Sequence, residues 1–131
     1  MPFEIQTSRF SFGEPPHKVE ALVVKMGDDL IVTVGGGIQY HVGAVAVGHV
    51  YTSPRISRAV SSTVSVITHP GHKEDEITQA AARKLSKCLN CSVVISAGMH
   101  IDNASEKDIQ ILVDNFLLLI EQIITTFSQK A

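Results

Sequence analysis

The sequence has no long hydrophobic run, no marked excess of one charge and little proline. No stretch approaches the ~18 uninterrupted apolar residues of a membrane span. The start of the chain, Met1 to Ile5, lacks the basic and apolar segments of a signal peptide. The formal net charge of −2 gives no reason to expect nucleic acid as a partner, because proteins that bind it usually carry an excess of Lys and Arg. We therefore expect a cytoplasmic protein that binds neither a membrane nor nucleic acid.

Only two cysteines are present, Cys88 and Cys91, and they form a Cys-x-x-Cys motif. A redox function needs the first cysteine at a helix N-terminus, but Cys88 falls at the predicted C-terminal end of a helix, on its apolar stripe. A zinc site would need ligands such as His69 and His72, and the cysteines would have to leave the helix base to meet them. Packing or an inert thiol is the favoured interpretation, since free cysteines are usually buried. We expect no metal site.

The common catalytic motifs are also absent. The chain has six histidines but no Gly-x-Ser-x-Gly, His-Glu-x-x-His, Walker loop or Gly-x-Gly-x-x-Gly. The run Gly35 to Gly37 is expected to end a strand as a flexible turn, because no helix follows that would make it a phosphate cradle. A histidine can act as a general base near neutral pH, but catalysis also needs a second group in register. We predict no catalytic residues.

Hydrophobic periodicity predicts a single α+β domain over residues 1–131. The apolar fraction of 44% suffices for one core. Alternating or β-branched segments predict six strands, and apolar residues at helical spacing predict two helices. The order is five strands, a helix, a strand and a helix, with both helices packed on one face of a mainly antiparallel sheet. The predicted strands are 3–12, 19–26, 30–34, 40–50, 57–68 and 91–97, and the helices run from 74 to 88 and from 105 to about 128.

Two of these segments have unusual composition. The fourth strand carries Gly43 and Gly48, which indicates close approach of another backbone or a sharp bend. The sixth has Val93, Val94 and Ile95 in succession, which is typical of a strand buried on both faces.

The last helix is predicted to begin at a capping box, in which Asp108 takes the place of the usual Glu or Gln three residues after Ser105. Ile111 and Leu118 lie opposite its apolar stripe. This heptad-spaced pair predicts a contact with a second subunit, or else two scattered surface residues. Together with the apolar strand 42–48, it favours a homodimer. The stripe itself comprises Ile109, Leu112, Val113, Phe116, Ile120, Ile123, Ile124 and Phe127.

Two glycine-containing turns with histidine are the strongest indication of a site. Residues 68–75 and 96–103 each follow a predicted strand and precede a predicted helix, so both are expected at one rim of the domain. A helix N-terminus leaves N–H groups unpaired and favours anions, and Lys73 would add a positive charge there. His100 and Asp102 form either a carboxylate-oriented imidazole or a local turn. The predicted binding residues are Gly71, His72, Lys73, His100 and Asp102.

These motifs carry a resemblance to a known family. Gly71 to Asp75, Ala97 to Ala104 and the glycine-containing strand Val42 to Gly48 resemble the prenylated-flavin chaperones, the small D-type accessory proteins of gallate and related hydroxybenzoate decarboxylases. That family is similar in fold to the proteasome assembly chaperones, and the resemblance extends over roughly residues 17 to 127.

The resemblance implies a non-catalytic helper of a prenylated-FMN-dependent decarboxylase, with prenylated FMN or FMN as a transient ligand. The turns would hold its phosphate, while Met99 and Ile101 would meet its ring. Two alternatives are an assembly chaperone that acts only through protein contacts, and a small enzyme with His72 or His100 as the base.

Overall fold

The computed structural model describes residues 4–52, 60–68 and 74–128. Within these ranges the chain forms six strands and two helices in the predicted order. They are β1 (Gln6–Phe12), β2 (Val19–Met26), β3 (Asp29–Gly37), β4 (Ala44–Thr52), β5 (Val60–Thr68), α1 (Asp75–Leu89), β6 (Val93–His100) and α2 (Glu106–Ser128).

The strands form one sheet in the order β1-β2-β3-β6-β4-β5. All neighbouring pairs are antiparallel except β3 and β6, which run parallel because α1 carries the chain back between β5 and β6. The predicted α+β class and mainly antiparallel sheet are confirmed. The insertion of β6 between β3 and β4 brings the end of β6 beside the loop that precedes β4.

Both helices pack on the same face of the sheet, α1 against β4, β5 and β6, and α2 against β1 and β2. Because strand side chains alternate, the helix-facing residues of β2 (Val19, Ala21 and Val23) are fully buried or nearly so. Those of β3 and β6 follow the same pattern. We call the other side of the sheet the open face. It is formed by the alternate side chains, including Leu22, Val24, Ile31, Thr33, Val45, Val47, Ser65, Ile67, Val94 and Ser96.

The sequence predicts that the glycine run 35–37 ends the third strand, and this prediction is wrong. Gly35, Gly36 and Gly37 continue β3 and pair with Gly98, Met99 and His100 of β6. Glycine is required there by close neighbours, since a Cβ on Gly35 would lie 2.5 Å from the Tyr40 ring and one on Gly37 2.3 Å from the His100 carbonyl oxygen. The close approach predicted at Gly48 is confirmed, because its Cβ would lie 2.8 Å from the Ala82 carbonyl oxygen in α1.

Helix α2 supplies the largest part of the core. Phe116, Ile120 and Ile123 are buried as predicted, and Leu119 joins them although it was outside the predicted stripe. By length and composition α2 is also apolar enough to cross a membrane, but one side of it is buried in the core of this domain. Ile109 belongs to the predicted stripe and is nevertheless 53% exposed, because it lines a cavity. Of the predicted contact pair, Leu118 is exposed and Ile111 half-buried.

The capping box at the start of α2 is confirmed. The Ser105 N–H donates to Oδ2 of Asp108 at 3.0 Å, and the Asp108 N–H donates to Oγ of Ser105 at 3.0 Å. These two bonds satisfy backbone donors that a helix start would otherwise leave unpaired.

The two cysteines are placed differently from the prediction. Cys88 is exposed rather than part of the apolar stripe of α1, and Cys91, just beyond the helix, is the buried thiol. The buried stripe runs from Leu85 and Ser86 to Leu89, so Cys88 lies beside it and not on it. Burial raises the pKa of Cys91 to about 11. Among the described residues, no three His, Cys, Asp or Glu side chains are arranged so that they could hold a metal ion together, while His69 and His72 lie outside those residues.

We expect iodoacetamide to alkylate Cys88 readily in the folded protein and to leave Cys91 unmodified until the chain unfolds. The reason is that only an accessible thiolate reacts, and Cys91 is both buried and protonated at neutral pH. Mass spectrometry of peptides after timed alkylation measures the two rates. Cys88→Ser should leave a native protein that does not react, and equal rates at the two thiols in folded protein would contradict the assignment.

Candidate ligand-binding site

A cavity of about 260 Å³ lies between the start of α1, the end of β6 and the first turns of α2. Its wall is almost entirely apolar, with only two polar residues. It is lined by Glu74, Ile77, Met99, His100, Ile101, Ala104, Ile109, Leu112 and Val113. Such a mostly apolar cavity with few polar groups is the usual form of a small-molecule site.

The local sequence explains why the space stays open. Strand β6 ends at His100, and Asn103 then adopts a left-handed conformation with φ of 53°. This conformation turns the chain sharply before the capping box of α2. Ala104 is small, so the segment between β6 and α2 does not fill the space that Ile77 and Leu112 border. The cavity is therefore a consequence of the turn and of a short side chain at its end.

Two histidine–carboxylate pairs lie at this end of the sheet. Nε2 of His100 donates to Oδ1 of Asp102 at 2.9 Å, in an exposed position. His41 Nε2 lies 3.2 Å from Oε1 of the buried Glu74, and the same oxygen accepts a bond from the Met99 N–H at 3.4 Å. The His41 and His100 rings approach edge to face, with centroids 6.5 Å apart. The four side chains thus form one polar cluster beside the apolar cavity.

Glycines hold His41 and Glu74 in place. The backbone before β4 passes so close to β6 that a Cβ on Gly98 would lie 1.8 Å from the His41 carbonyl oxygen. A Cβ on Gly43 would lie 2.7 Å from the Glu74 carboxylate. The Gly43 N–H donates to the Ala97 carbonyl at 3.0 Å and continues the pairing of β4 with β6. The position of the polar cluster therefore depends on close contacts that only glycine allows.

Hydrogen bonds from the loop between β1 and β2 hold the part of α2 that borders the cavity. His17 Nε2 lies 2.8 Å from Oδ1 of Asp108, and Nδ2 of Asn115 donates to the His17 carbonyl at 2.9 Å. The hydrogen bond from His17, with those from Ser105, lowers the pKa of Asp108 to about 2. Asp108 is therefore a carboxylate throughout the physiological range, and it ties the first turn of α2 to the sheet.

The structure brings together part of the predicted site. His100 and Asp102 are in contact, and Met99 and Ile101, which the flavin interpretation assigned to the ring, line the cavity. Gly71, His72 and Lys73 lie outside the described residues. Whether any of these residues binds a ligand stays a prediction.

Glu74 and His41 were not predicted as site residues. Glu74 belongs to the first histidine turn, residues 68–75, and His41 to the predicted fourth strand, but neither was among the predicted binding residues. The one available signal was Gly43, a glycine that indicated close approach and that proves to face the Glu74 carboxylate.

The comparisons with known proteins agree with this architecture. The model of the prenylated flavin chaperone LpdD-like domain matches residues 13–128. Protein LpdD of Lactiplantibacillus plantarum is 28% identical over 102 residues, which cover 76% of this chain and 70% of that protein. A chain from the crystal structure of a chaperone complex for yeast 20S proteasome assembly superimposes with a TM-score of 0.57. The superposition covers 95% of this chain and 96% of that one at 13% sequence identity, so it shows the fold alone.

The fold is that of the proteasome assembly chaperones, and the candidate site is an apolar cavity beside a polar cluster. This chain belongs to the prenylated flavin chaperone LpdD-like family. The resemblance inferred from the two histidine turns is thereby confirmed. The family is one of chaperones, so the prediction that the chain is not an enzyme is confirmed too, and the interpretation of His72 or His100 as a catalytic base is set aside.

Proposed function

We propose that this protein is a cytoplasmic accessory chaperone that binds prenylated FMN or FMN transiently and supports a prenylated-FMN-dependent decarboxylase. The observation that carries the proposal is the apolar cavity beside the His41, Glu74, His100 and Asp102 cluster. A flavin has an apolar ring system that suits this cavity, while its charged phosphate lies at the other end of the molecule. Membership of a prenylated flavin chaperone family supports this choice of ligand.

The size of the cavity favours partial entry of the ligand. At about 260 Å³ it is slightly smaller than the ~300–1,000 Å³ typical of cavities that enclose a whole ligand. The apolar end of the flavin would therefore enter between Met99, Ile101 and Leu112, while the ribityl phosphate stays at the rim. Partial burial also suits a carrier, because a ligand held at one end is released more easily to an enzyme.

Charge argues against a phosphate at the described polar cluster. That cluster contains the carboxylates of Glu74 and Asp102, and the cavity lining has no Lys or Arg among the residues that the structure describes. We therefore assign the phosphate to the turn Gly71-His72-Lys73. There the Lys73 ammonium and the N–H groups at the start of α1 would favour an anion.

The cavity is tested with Ala104→Phe, which places a large ring in the space that the proposal gives to the flavin. We expect binding of FMN and prenylated FMN to weaken at least about a hundredfold, because steric exclusion removes several kcal/mol of contacts. Anaerobic calorimetry and flavin absorbance measure the affinity. Thr125→Phe, on the outer part of α2, is the matched control and should bind like wild type.

A second variant tests the proposed phosphate site independently of the proposed ring site. Lys73→Ala should weaken binding about ten- to a hundredfold, because a sheltered charge-assisted bond contributes about 1.5–3 kcal/mol. It should also reduce the salt dependence of binding. Unchanged affinity in Ala104→Phe would refute the cavity, and unchanged affinity in Lys73→Ala would place the phosphate elsewhere. Wild type that binds neither flavin but still co-purifies with a decarboxylase would favour a chaperone that acts only through protein contacts.

A further inference from the structure

The outermost strand of the sheet, β1, has one neighbour, β2, among the strands that the structure describes. In an antiparallel pair, a strand bonds to its neighbour through every second residue. The backbone N–H and C=O groups of the intervening residues of β1 therefore point away from β2. Such an edge is a ready template for pairing with one more strand.

A groove of about 590 Å³ lies beside this edge, between β1 and the outer side of α2. Its β1 wall is formed by Phe10 and Phe12, which are partly buried against the core. Its α2 wall includes the exposed residues Leu118, Gln122 and Thr125. The groove therefore places three apolar side chains directly beside backbone groups that can bond to an added strand.

This combination is the geometry of β-strand addition, in which an extended peptide pairs with a sheet edge. Backbone hydrogen bonds contribute affinity, and alternate side chains of the peptide occupy pockets beside the edge. Directly opposite residues in such a pair present their side chains to the same face of the sheet. Residues of an added strand opposite Phe10 and Phe12 would therefore face the groove, where apolar side chains would contact Leu118.

Arg9 determines which charge the added strand should carry. It is the one charged residue of β1, and its side chain is exposed. No carboxylate among the described residues forms an ion pair with it. Glu121, the other charged residue at the groove, already pairs with Lys84. Because opposite charges on directly opposed strand residues attract each other, an acidic residue across from Arg9 is favoured.

A second copy of this chain does not fit the same edge. Arg9 is the central residue of β1 (Gln6–Phe12). Two copies of β1 paired antiparallel in full register would therefore place their Arg9 side chains opposite each other, and like charges in that position are destabilising. The arginine thus disfavours self-association through this edge and favours a different chain as the partner.

We propose that the groove between β1 and α2 binds an extended segment of a partner protein, which adds a further strand to the sheet through β1. The segment carries an acidic residue opposite Arg9 and apolar residues on either side of that acid. The seven residues of β1, at about 3.3 Å each, give an edge about 23 Å long for the segment to cover. The inference adds a protein-docking surface to the proposed function and does not depend on the flavin.

The probe is a synthetic peptide with blocked ends and the sequence Thr-Val-Thr-Val-Glu-Val-Thr-Val-Thr. The sequence is the same in both directions, so the peptide can pair with β1 in either orientation. We expect calorimetry to show binding to wild type. The bound peptide should slow hydrogen exchange at alternate backbone amides of β1, and it should leave β5, at the other edge of the sheet, unchanged.

Methylation of the peptide backbone separates strand pairing from side-chain contact. In an added strand, every second N–H faces β1 and the others face solvent. One peptide is methylated at the two central Val nitrogens and its matched control at the two Thr nitrogens next to them. We expect one of the two to bind like the parent peptide and the other not to bind. Equal affinities would contradict pairing through the edge.

Arg9→Glu should weaken binding of the Glu peptide about tenfold and strengthen binding of a peptide with Lys at its centre by a similar factor. Lys107→Glu, at the exposed start of α2, makes the same change in net charge away from the groove. It is the matched control and should bind like wild type. Thr125→Phe should abolish binding of both peptides, because the ring fills the groove, while flavin affinity is kept. Circular dichroism checks that each variant is folded.

Wild type that binds no peptide at millimolar concentration would overturn the proposal. So would Arg9→Glu that still prefers the Glu peptide, or a bound peptide that protects β5 in place of β1. A folded Thr125→Phe that loses both peptide and flavin binding would contradict the separation of groove and cavity. If wild type binds the peptide but no flavin, the proposed function fails while the docking surface stands.

Discussion

Phe116→Ala is expected to lower the free energy of unfolding by about 3–5 kcal/mol, a large part of the total stability of a domain of this size. Phe116 is completely buried at the middle of α2 and is the largest fully buried side chain of the described core. Its truncation removes apolar contacts and leaves a cavity between α2 and the sheet, and the rigid strands cannot close it.

Urea unfolding followed by circular dichroism measures this loss. Leu118→Ala provides the matched control, since the same helix presents that residue to solvent and the change should cost well under 1 kcal/mol. Similar losses for the two variants would show that α2 does not pack through the Phe116 face.

Gly98→Ala is expected to disrupt both stability and the site. The added Cβ would meet the carbonyl oxygen of His41 at 1.8 Å and its carbonyl carbon at 2.4 Å, distances at which the backbone must move. We expect a loss of about 1–3 kcal/mol. The displaced segment carries His41 away from Glu74, so flavin binding should fall as well, since the polar cluster beside the cavity is no longer held in place.

Thermal unfolding and flavin titration of the same preparation separate these two effects. Ser96→Ala, two residues earlier in β6, is the control. It removes only the hydroxyl that contacts Thr33 and should change the melting temperature and the flavin affinity little. A Gly98→Ala protein with wild-type melting temperature and wild-type flavin affinity would show that the close approach of the two backbones is not needed.

Local sequence patterns predicted the elements of this fold well. The bounds of β2 were predicted to the residue, and the capping box of Ser105 and Asp108 located the start of α2, because alternation and capping depend on residues close together in the chain. Predicted bounds were less accurate where glycines occur. The sequence predicts a turn at Gly35 to Gly37, because the neighbours that require glycine there, Tyr40 and β6, are brought close only by folding.

The sequence by itself determined the order of strands and helices, the α+β class and, through its two histidine turns, the family to which the chain belongs. Tertiary structure alone decided that β6 enters between β3 and β4, and hence that His41 meets Glu74 beside Met99. It also decided that Cys91 rather than Cys88 is buried. The physical reason is the range of the interactions: propensity and capping act within a few residues, whereas sheet order and cavity walls depend on contacts between segments far apart in the chain.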